Sequence, residues 1–237
     1  MNNKTFGVIG AMESEVAQLR AALSNTETKE YSGLTFYSGS LGENRVVLVK
    51  SGIGKVNAAR CTQILIDRYA PDCVINTGIA GGIGEGLAVA DVVIGTELVQ
   101  HDFDVRAFGY ARGNLCEPSH RDTPTVFRSD ESLIEAFRAA ASSLLDPKRV
   151  KTGRIATGDL FVASAEAKSD IAGAFGAVAA EMEGGAIAQV AALAGVPFIV
   201  LRAISDLADG SSPASFDTFE QETADLSASI LRKLIAG

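Results

Sequence analysis

The sequence predicts a single α/β domain spanning residues 1–237, built on a central mixed, mostly parallel sheet flanked by helices. Two observations carry this. Short continuous apolar runs alternate with amphipathic stretches along the chain, the order expected when strands are buried on both faces by crossover helices. Gly is abundant at 24 residues against only 6 Pro, which suits many tight strand-to-helix turns.

Thr5–Gly10 (TFGVIG) reads as a buried strand, followed by a helix over 13–23. Residues 34–40 and 45–50 (RVVLVK) read as a strand pair. Gly52-Ile53-Gly54 then opens a helix over 56–69, and 73–76 (CVIN) is a further strand running into a Gly-rich loop at 78–86. A strand follows at 91–97, and 101–121 is irregular. Residues 130–145 have helical periodicity, with Ser129 or Asp130 suited to cap the first turn. Strands are expected at 154–157, 178–180 and 198–201, with helices at 165–175, 184–194 and 216–235. No linker or repeat divides the chain.

Composition narrows the function. The net charge of −8 comes without any Lys/Arg cluster, so the basic footprint that nucleic-acid binding needs is missing. No apolar run approaches the ~20 residues needed to span a bilayer, and residues 1–10 lack the apolar core of a signal peptide. A cytoplasmic protein without nucleic-acid or membrane partners is therefore expected. Cys61, Cys73 and Cys116 show no CxxC spacing, and His101 and His120 are the only histidines. Neither set builds a metal site.

Both Gly-rich segments fail as nucleotide-binding fingerprints. A Walker A loop ending at Gly54-Lys55 wants Gly at 49 and Ser/Thr at 56, where Val49 and Val56 stand. A dinucleotide fingerprint wants Gly at 57, held by Asn57, and an acid closing the next strand, which ends in Asn76 and Thr77. The second segment, 76–82, leads to another strand. It reads either as a tight turn or as backbone that lets a small ligand approach closely.

Acids at strand exits are more informative. Glu13 and Glu15 follow the first strand, Glu181 and Glu183 follow 178–180, and Asp206 follows the strand starting at 198, with Arg202 near the same end. The carboxyl ends of the strands form the ligand crevice of open α/β sheets, so three strands aim carboxylates at one place. Each acid alone also reads as a helix N-terminal charge or a cap.

Taken in order, Gly10-Ala11-Met12-Glu13-Ser14-Glu15, Ser51-Gly52-Ile53-Gly54-Lys55-Val56-Asn57, the 76–82 segment, Ala180-Glu181-Met182-Glu183, Arg202-Ala203-Ile204-Ser205-Asp206 and Ser215-Phe216-Asp217 resemble the 5′-methylthioadenosine/S-adenosylhomocysteine nucleosidases of the purine nucleoside phosphorylase-like superfamily. The resemblance implies a homodimer with a nucleoside phosphorylase-like fold and no metal or organic cofactor. It also implies hydrolysis of the adenine–ribose bond of methylthioadenosine and S-adenosylhomocysteine, with 5′-deoxyadenosine as a further substrate, in methionine salvage.

By the same resemblance Asp206 would protonate the departing adenine, oriented by Ser205. Glu15, helped by Arg202, would activate water. Glu183 would bind the ribose hydroxyls and Met182 the sugar face, with Met12 and Glu181 beside them. Phe161 would stack on the purine and the Val162 backbone read its edge, while Ile79, Ala80 and Gly81 would floor the pocket. Ile53 and Phe216 would line the thioalkyl side, and Val105 and Phe108 would reach into the partner subunit's pocket. Read from composition alone, the aromatic stretch 103–110 suits core filling equally well.

Two positions depart from the pattern. Ile79 stands where many relatives carry Ser, and Cys116 where a Pro often closes the 5′ side. Both bear on preference for the 5′ substituent. The alternatives are an aminofutalosine-type nucleosidase on the same scaffold and a purine nucleoside phosphorylase, whose phosphate nucleophile Glu15 would repel.

Overall fold

A computed structural model describes residues 3–208 and 212–237, with the side chains of 212–218 left aside. Its strands are β1 (Thr5–Gly10), β2 (Ser24–Tyr31), β3 (Leu34–Leu41), β4 (Asn44–Lys50), β5 (Cys73–Gly82), β6 (Val92–Gln100), β7 (Phe127–Arg128), β8 (Val150–Thr157), β9 (Ala177–Glu181) and β10 (Phe198–Asp206). The helices are α1 (Glu13–Ala22), α2 (Lys55–Tyr69), α3 (Glu131–Ser142), α4 (Ala165–Phe175), α5 (Gly184–Leu193) and α6 (Ser212–Ala236).

The α/β expectation holds, but the sheet is mixed rather than mostly parallel. Its order is β10-β6-β8-β9-β5-β1-β4-β3-β2, and β10 also pairs with β5. Five strands therefore close on one another while β1, β4, β3 and β2 extend as an open wing. The β1–β4, β1–β5, β5–β10, β6–β8 and β8–β9 pairs are parallel. The β6–β10, β2–β3, β3–β4, β5–β9 and β6–β7 pairs run antiparallel. Apolar runs report burial on both faces, not strand direction, so the sequence pattern could not separate the two.

Alternation within the strands puts a core on each side. Phe6, Val8, Val46, Leu48, Cys73, Ile75, Ile199 and Leu201 meet α3 and α6 residues such as Phe137, Ile230 and Leu231. Ile9, Val47, Val49, Val74, Phe198 and Val200 face the other way, onto Cys61 and Leu65 of α2 and Ile187 and Ala191 of α5. This is the period-2 signature of a strand covered on both sides. Cys61 and Cys73 are core hydrophobes whose thiols burial pushes up to about 12.

Two strands were missed. β2 (SNTETKEY) is exposed along nearly its whole length and pairs only with β3. An edge strand of this kind carries no apolar alternation to detect. Its signal lay in the turn, since Ser32 and Gly33 both take positive φ (51° and 74°), the two-residue loop that matches hairpin twist. β7 is two residues long and pairs with Leu98 and Glu97.

The largest correction concerns 78–86. Instead of a loop after Asn76, β5 continues to Gly82, pairing with β10 as far as Gly81 and then with β9. Glycine there serves close approach: a Cβ on Gly82 would lie 3.1 Å from Ile204 Cγ2 and one on Gly81 3.3 Å from Asp206 Oδ1.

Among the described residues no helix is long and apolar enough to cross a membrane. Phe137 sits fully buried on the inner face of α3. Its replacement by Ala is expected to destabilise the chain by about 3–5 kcal/mol, read as a lower urea midpoint with an unchanged m-value.

Candidate active site

A cleft of roughly 640 Å³, solvent mouth included, opens where β1, β5, β9 and β10 end. The size suits a nucleoside-scale ligand. Its floor is Ile79, Ala80 and Gly81 of β5. Ala11, Met12 and Glu15 contribute from the β1–α1 turn, Ala180 to Glu183 from the end of β9, and Ser205 with Asp206 from β10. Ile53, Leu160, Phe161 and Val162 form the outer wall.

Glu15 reaches this cleft because α1 starts immediately after β1. Its Oε2 accepts from the N–H groups of Ala11 (2.6 Å) and Met12 (3.0 Å), and Oε1 accepts from Ile79 N–H (3.1 Å). Burial raises its pKa, against the charge of Arg202 and these three donors. Gly78 makes room for it: a Cβ there would stand 2.9 Å from Glu15 Cδ and closer still to Oε1.

Asp206 closes the other end of the floor. Its Oδ2 accepts from Ser205 Oγ (3.0 Å) and its Oδ1 from Ala208 N–H (2.9 Å). Ser205 and Asp206 both line the cleft, although neighbours on a regular strand point to opposite faces. A bulge resolves this: Ile204 pairs with Ala80 and Asp206 with Gly81, leaving Ser205 as the extra residue. Gly78 and Gly81, the contact points of Glu15 and Asp206, are three strand residues apart, or roughly 10 Å.

Behind the cleft lies a buried charge cluster. Arg202, 1% exposed, bonds Glu181 and Asn76 and stands 3.9 Å from Glu183. Burial works against its charge, yet Glu181, Glu183 and Glu15 hold its pKa above the usual value. Glu181 also accepts from Thr157 Oγ1 and from the N–H groups of Glu183 (3.1 Å) and Gly184 (2.7 Å), capping α5. Glu183 Oε1 accepts from Gly54 N–H (2.8 Å) at the start of α2. Burial first, then the Glu181 charge, push the Glu183 carboxyl up to about 7, with Arg202 and the Gly54 donor opposing.

Of the residues expected from sequence, those named for the floor, the sugar side and the purine wall share this one cleft. Arg202 does not line it, and its guanidinium is turned toward Asn76 and Glu181. Glu13 points away to Arg20 (2.6 Å) and Lys50 (3.3 Å) on the surface. Val105 and Phe108 lie outside the lining of their own chain's cleft, and Phe108 is 75% exposed. The Phe216 side chain lies outside the described residues.

The sequence reading missed Ala11, Leu160 and Ala180 as lining residues, and Thr157 and Asn76 as supports. Thr157 and Asn76 both end predicted strands, which was the available signal. It also missed a ring in which Lys55 N–H donates to Asp159 Oδ1 (2.8 Å), Asp159 N–H to Asp102 Oδ2 (2.9 Å) and Lys55 Nζ to Asp102 Oδ1 (2.6 Å). This ring ties the Leu160–Phe161 wall to the start of α2.

A pocket floored by one strand, with buried carboxylates at both ends, defines a nucleoside-cleaving α/β scaffold, and the chain belongs to the phosphorylase superfamily, whose family model matches residues 5–236. Within it, the chain belongs to the 5′-methylthioadenosine/S-adenosylhomocysteine nucleosidases. It is 45% identical over 231 residues to the nucleosidase of that name from Anoxybacillus flavithermus, with 97% of each chain covered. The crystal structure of the Neisseria meningitidis nucleosidase in complex with methylthio-immucillin-A is similar at a TM-score of 0.92 and 45% identity, covering 98% of this chain and 99% of that one. A futalosine hydrolase from Helicobacter pylori shares the fold at a TM-score of 0.90 but only 32% identity, covering 98% and 97%.

Two outcomes follow. Gly78→Ala should displace the pinned Glu15 carboxylate and cut turnover by ~10-fold or more while the circular dichroism spectrum stays native. Glu183 ionises near 4.5 in an unfolded chain and near 7 in the folded one. The native state therefore binds the extra proton between these values, and its stability falls as the pH rises through that window. Glu183→Gln should flatten this fall, measured as urea midpoints at about pH 5 and about pH 7.5.

Proposed function

We propose that the chain hydrolyses the N-glycosidic bond of 5′-methylthioadenosine and S-adenosylhomocysteine, releasing adenine and the 5-thioribose product. The observation that carries this reading is the pair Glu15 and Asp206, two buried carboxyl groups at opposite ends of one pocket floor. Names of the relatives at about 45% identity support the substrate class.

The chemistry needs such a pair. As the bond from C1′ to the base nitrogen breaks, negative charge develops on adenine and positive charge on the sugar. Asp206, held by Ser205 and the Ala208 N–H, delivers a proton to the purine. Glu15 takes a proton from the water whose oxygen bonds C1′, and its charge favours the oxocarbenium-like sugar, as the paired carboxyl groups of glycosidases do.

Glu183, with one oxygen occupied by Gly54 N–H, binds a ribose hydroxyl through the other. Met12 and Met182 pack on the sugar. Phe161 stacks on the base, and the Val162 backbone reads its edge. Ile53 and Ile79 contact the 5′ substituent. Arg202 acts from behind, keeping the buried acids in register through Glu181 and lowering the cost of charge on Glu15.

A homodimer completes the pocket in this reading. Ile53, Leu160 and Phe161 expose apolar surface on the cleft wall, and Val56 at 79% and Phe108 at 75% expose more outside its lining, surface of the kind that marks an interaction site. Val105 and Phe108 would cover the neighbour's cleft.

Adenine release from methylthioadenosine and S-adenosylhomocysteine should proceed equally with and without phosphate. A strict phosphate requirement would make the chain a phosphorylase, and faster turnover of aminofutalosine would reassign its substrate. Asp206→Asn should lower kcat by ~10²–10⁴-fold, the typical contribution of one general acid, with native unfolding behaviour. A variant keeping a third of the wild-type rate would remove Asp206 from that role.

A further inference from the structure

The turn that presents the Asp206 carboxylate is held from an unexpected side. Lys168 in the first turn of α4 extends its Nζ to the carbonyl of Leu207 (2.6 Å). The next residue, Ala208, is fully buried with φ at +50°, a left-handed conformation that a residue with a Cβ adopts only when its surroundings impose it. Its N–H is the group that donates to Asp206 Oδ1. The strained residue is thus the one that fixes the carboxylate, and the charged donor beside it anchors the peptide leading into it.

α4 also begins directly after the purine wall. Ser164 caps it by accepting from Ala167 N–H (3.2 Å), and Phe161 and Val162 lie three and two residues before that cap. One short helix therefore carries the wall on one side and the Lys168 contact on the other.

We propose that Lys168 is a positioning residue for the proton donor: its ammonium clamps the Leu207 carbonyl, which holds Ala208 left-handed and keeps Asp206 Oδ1 occupied by the Ala208 N–H. That leaves Oδ2, the oxygen beside Ser205 Oγ, as the one that delivers the proton to the base. This rests on the proposed hydrolase reading, because it assigns Lys168 to the same step as Asp206. Lys168 touches neither substrate nor reacting atoms and acts only through the turn.

Steady-state kinetics of Lys168→Met, Lys168→Arg, Asp206→Asn and the double variant test it with methylthioadenosine. Lys168→Met is expected to lower kcat about tenfold, the scale of a misplaced catalytic group, with KM within about twofold. Lys168→Arg, which can still donate to the carbonyl, should recover to within about threefold of wild type. In the Asp206→Asn background the Met substitution should cost nothing further, because both act on one step. Lys168→Met with wild-type kcat, a loss carried by KM, failure of the Arg rescue, or a full further tenfold loss in the double variant would overturn the clamp. A wild-type chain that releases no adenine would overturn the hydrolase reading instead. In that event a crystal structure of Lys168→Met still decides the clamp: a displaced turn at 206–208 supports it, and an unmoved one overturns it.

Discussion

One guanidinium holds the site together. Arg202 is fully buried and stands among Glu181, Glu183 and Glu15, so a single positive charge faces three carboxylates in a place that water does not reach. Removing it would leave unpaired buried acids, whose desolvation costs several kcal/mol per ion. Keeping it leaves the carboxylates collectively short of positive charge. Burial raises the pKa values of Glu15 and Glu183 against the Arg202 charge, with the Glu181 charge adding to the rise at Glu183, and perturbed carboxyls in a cleft are the mark of acid–base chemistry.

The closed part of the sheet exists in service of that cluster. β5 supplies the floor, and its glycines let the Glu15 carboxylate and the β10 acid sit against backbone. β9 turns into α5 at Glu181, which spends its oxygens on Thr157, Arg202 and two N–H groups of the helix start. Glu181 lines the cleft, yet its bonding is that of a support, while Glu183 commits only Oε1 to a hydrogen bond, with Gly54 N–H, among the described residues. The distinction between two acids two residues apart comes from what each already binds.

The outer wall is organised separately. Residues 159–162 are tied to α2 by the Lys55–Asp102–Asp159 ring and lead into α4, which reaches the Asp206 turn through Lys168. The base would thus be gripped by a segment connected at one end to the sugar side, through Gly54 and Glu183, and at the other to the proton donor. The 159–162 wall and the Asp206 turn are thus linked through the start of α4 and one hydrogen bond.

The sequence by itself determined where the buried strands and the helices lie, because buried strands and amphipathic helices impose periodicity on local residues, and it placed acids at the ends of β1, β9 and β10. Its six ordered motifs identified the family. The strand-exit pattern alone could not distinguish Glu13 from Glu15, which only the family motif separated, since it is the tertiary packing that sends one to Arg20 and Lys50 and the other beneath β5. Nor could the sequence show that 78–82 is strand, because Gly permits both turn and extended backbone and the choice fell to pairing with β10 and β9. Strand direction, sheet closure, the bulge at Ser205 and the contact from Lys168 to Leu207 join residues far apart in the chain. Long-range contacts of that kind leave no local pattern, so only the folded molecule decided them.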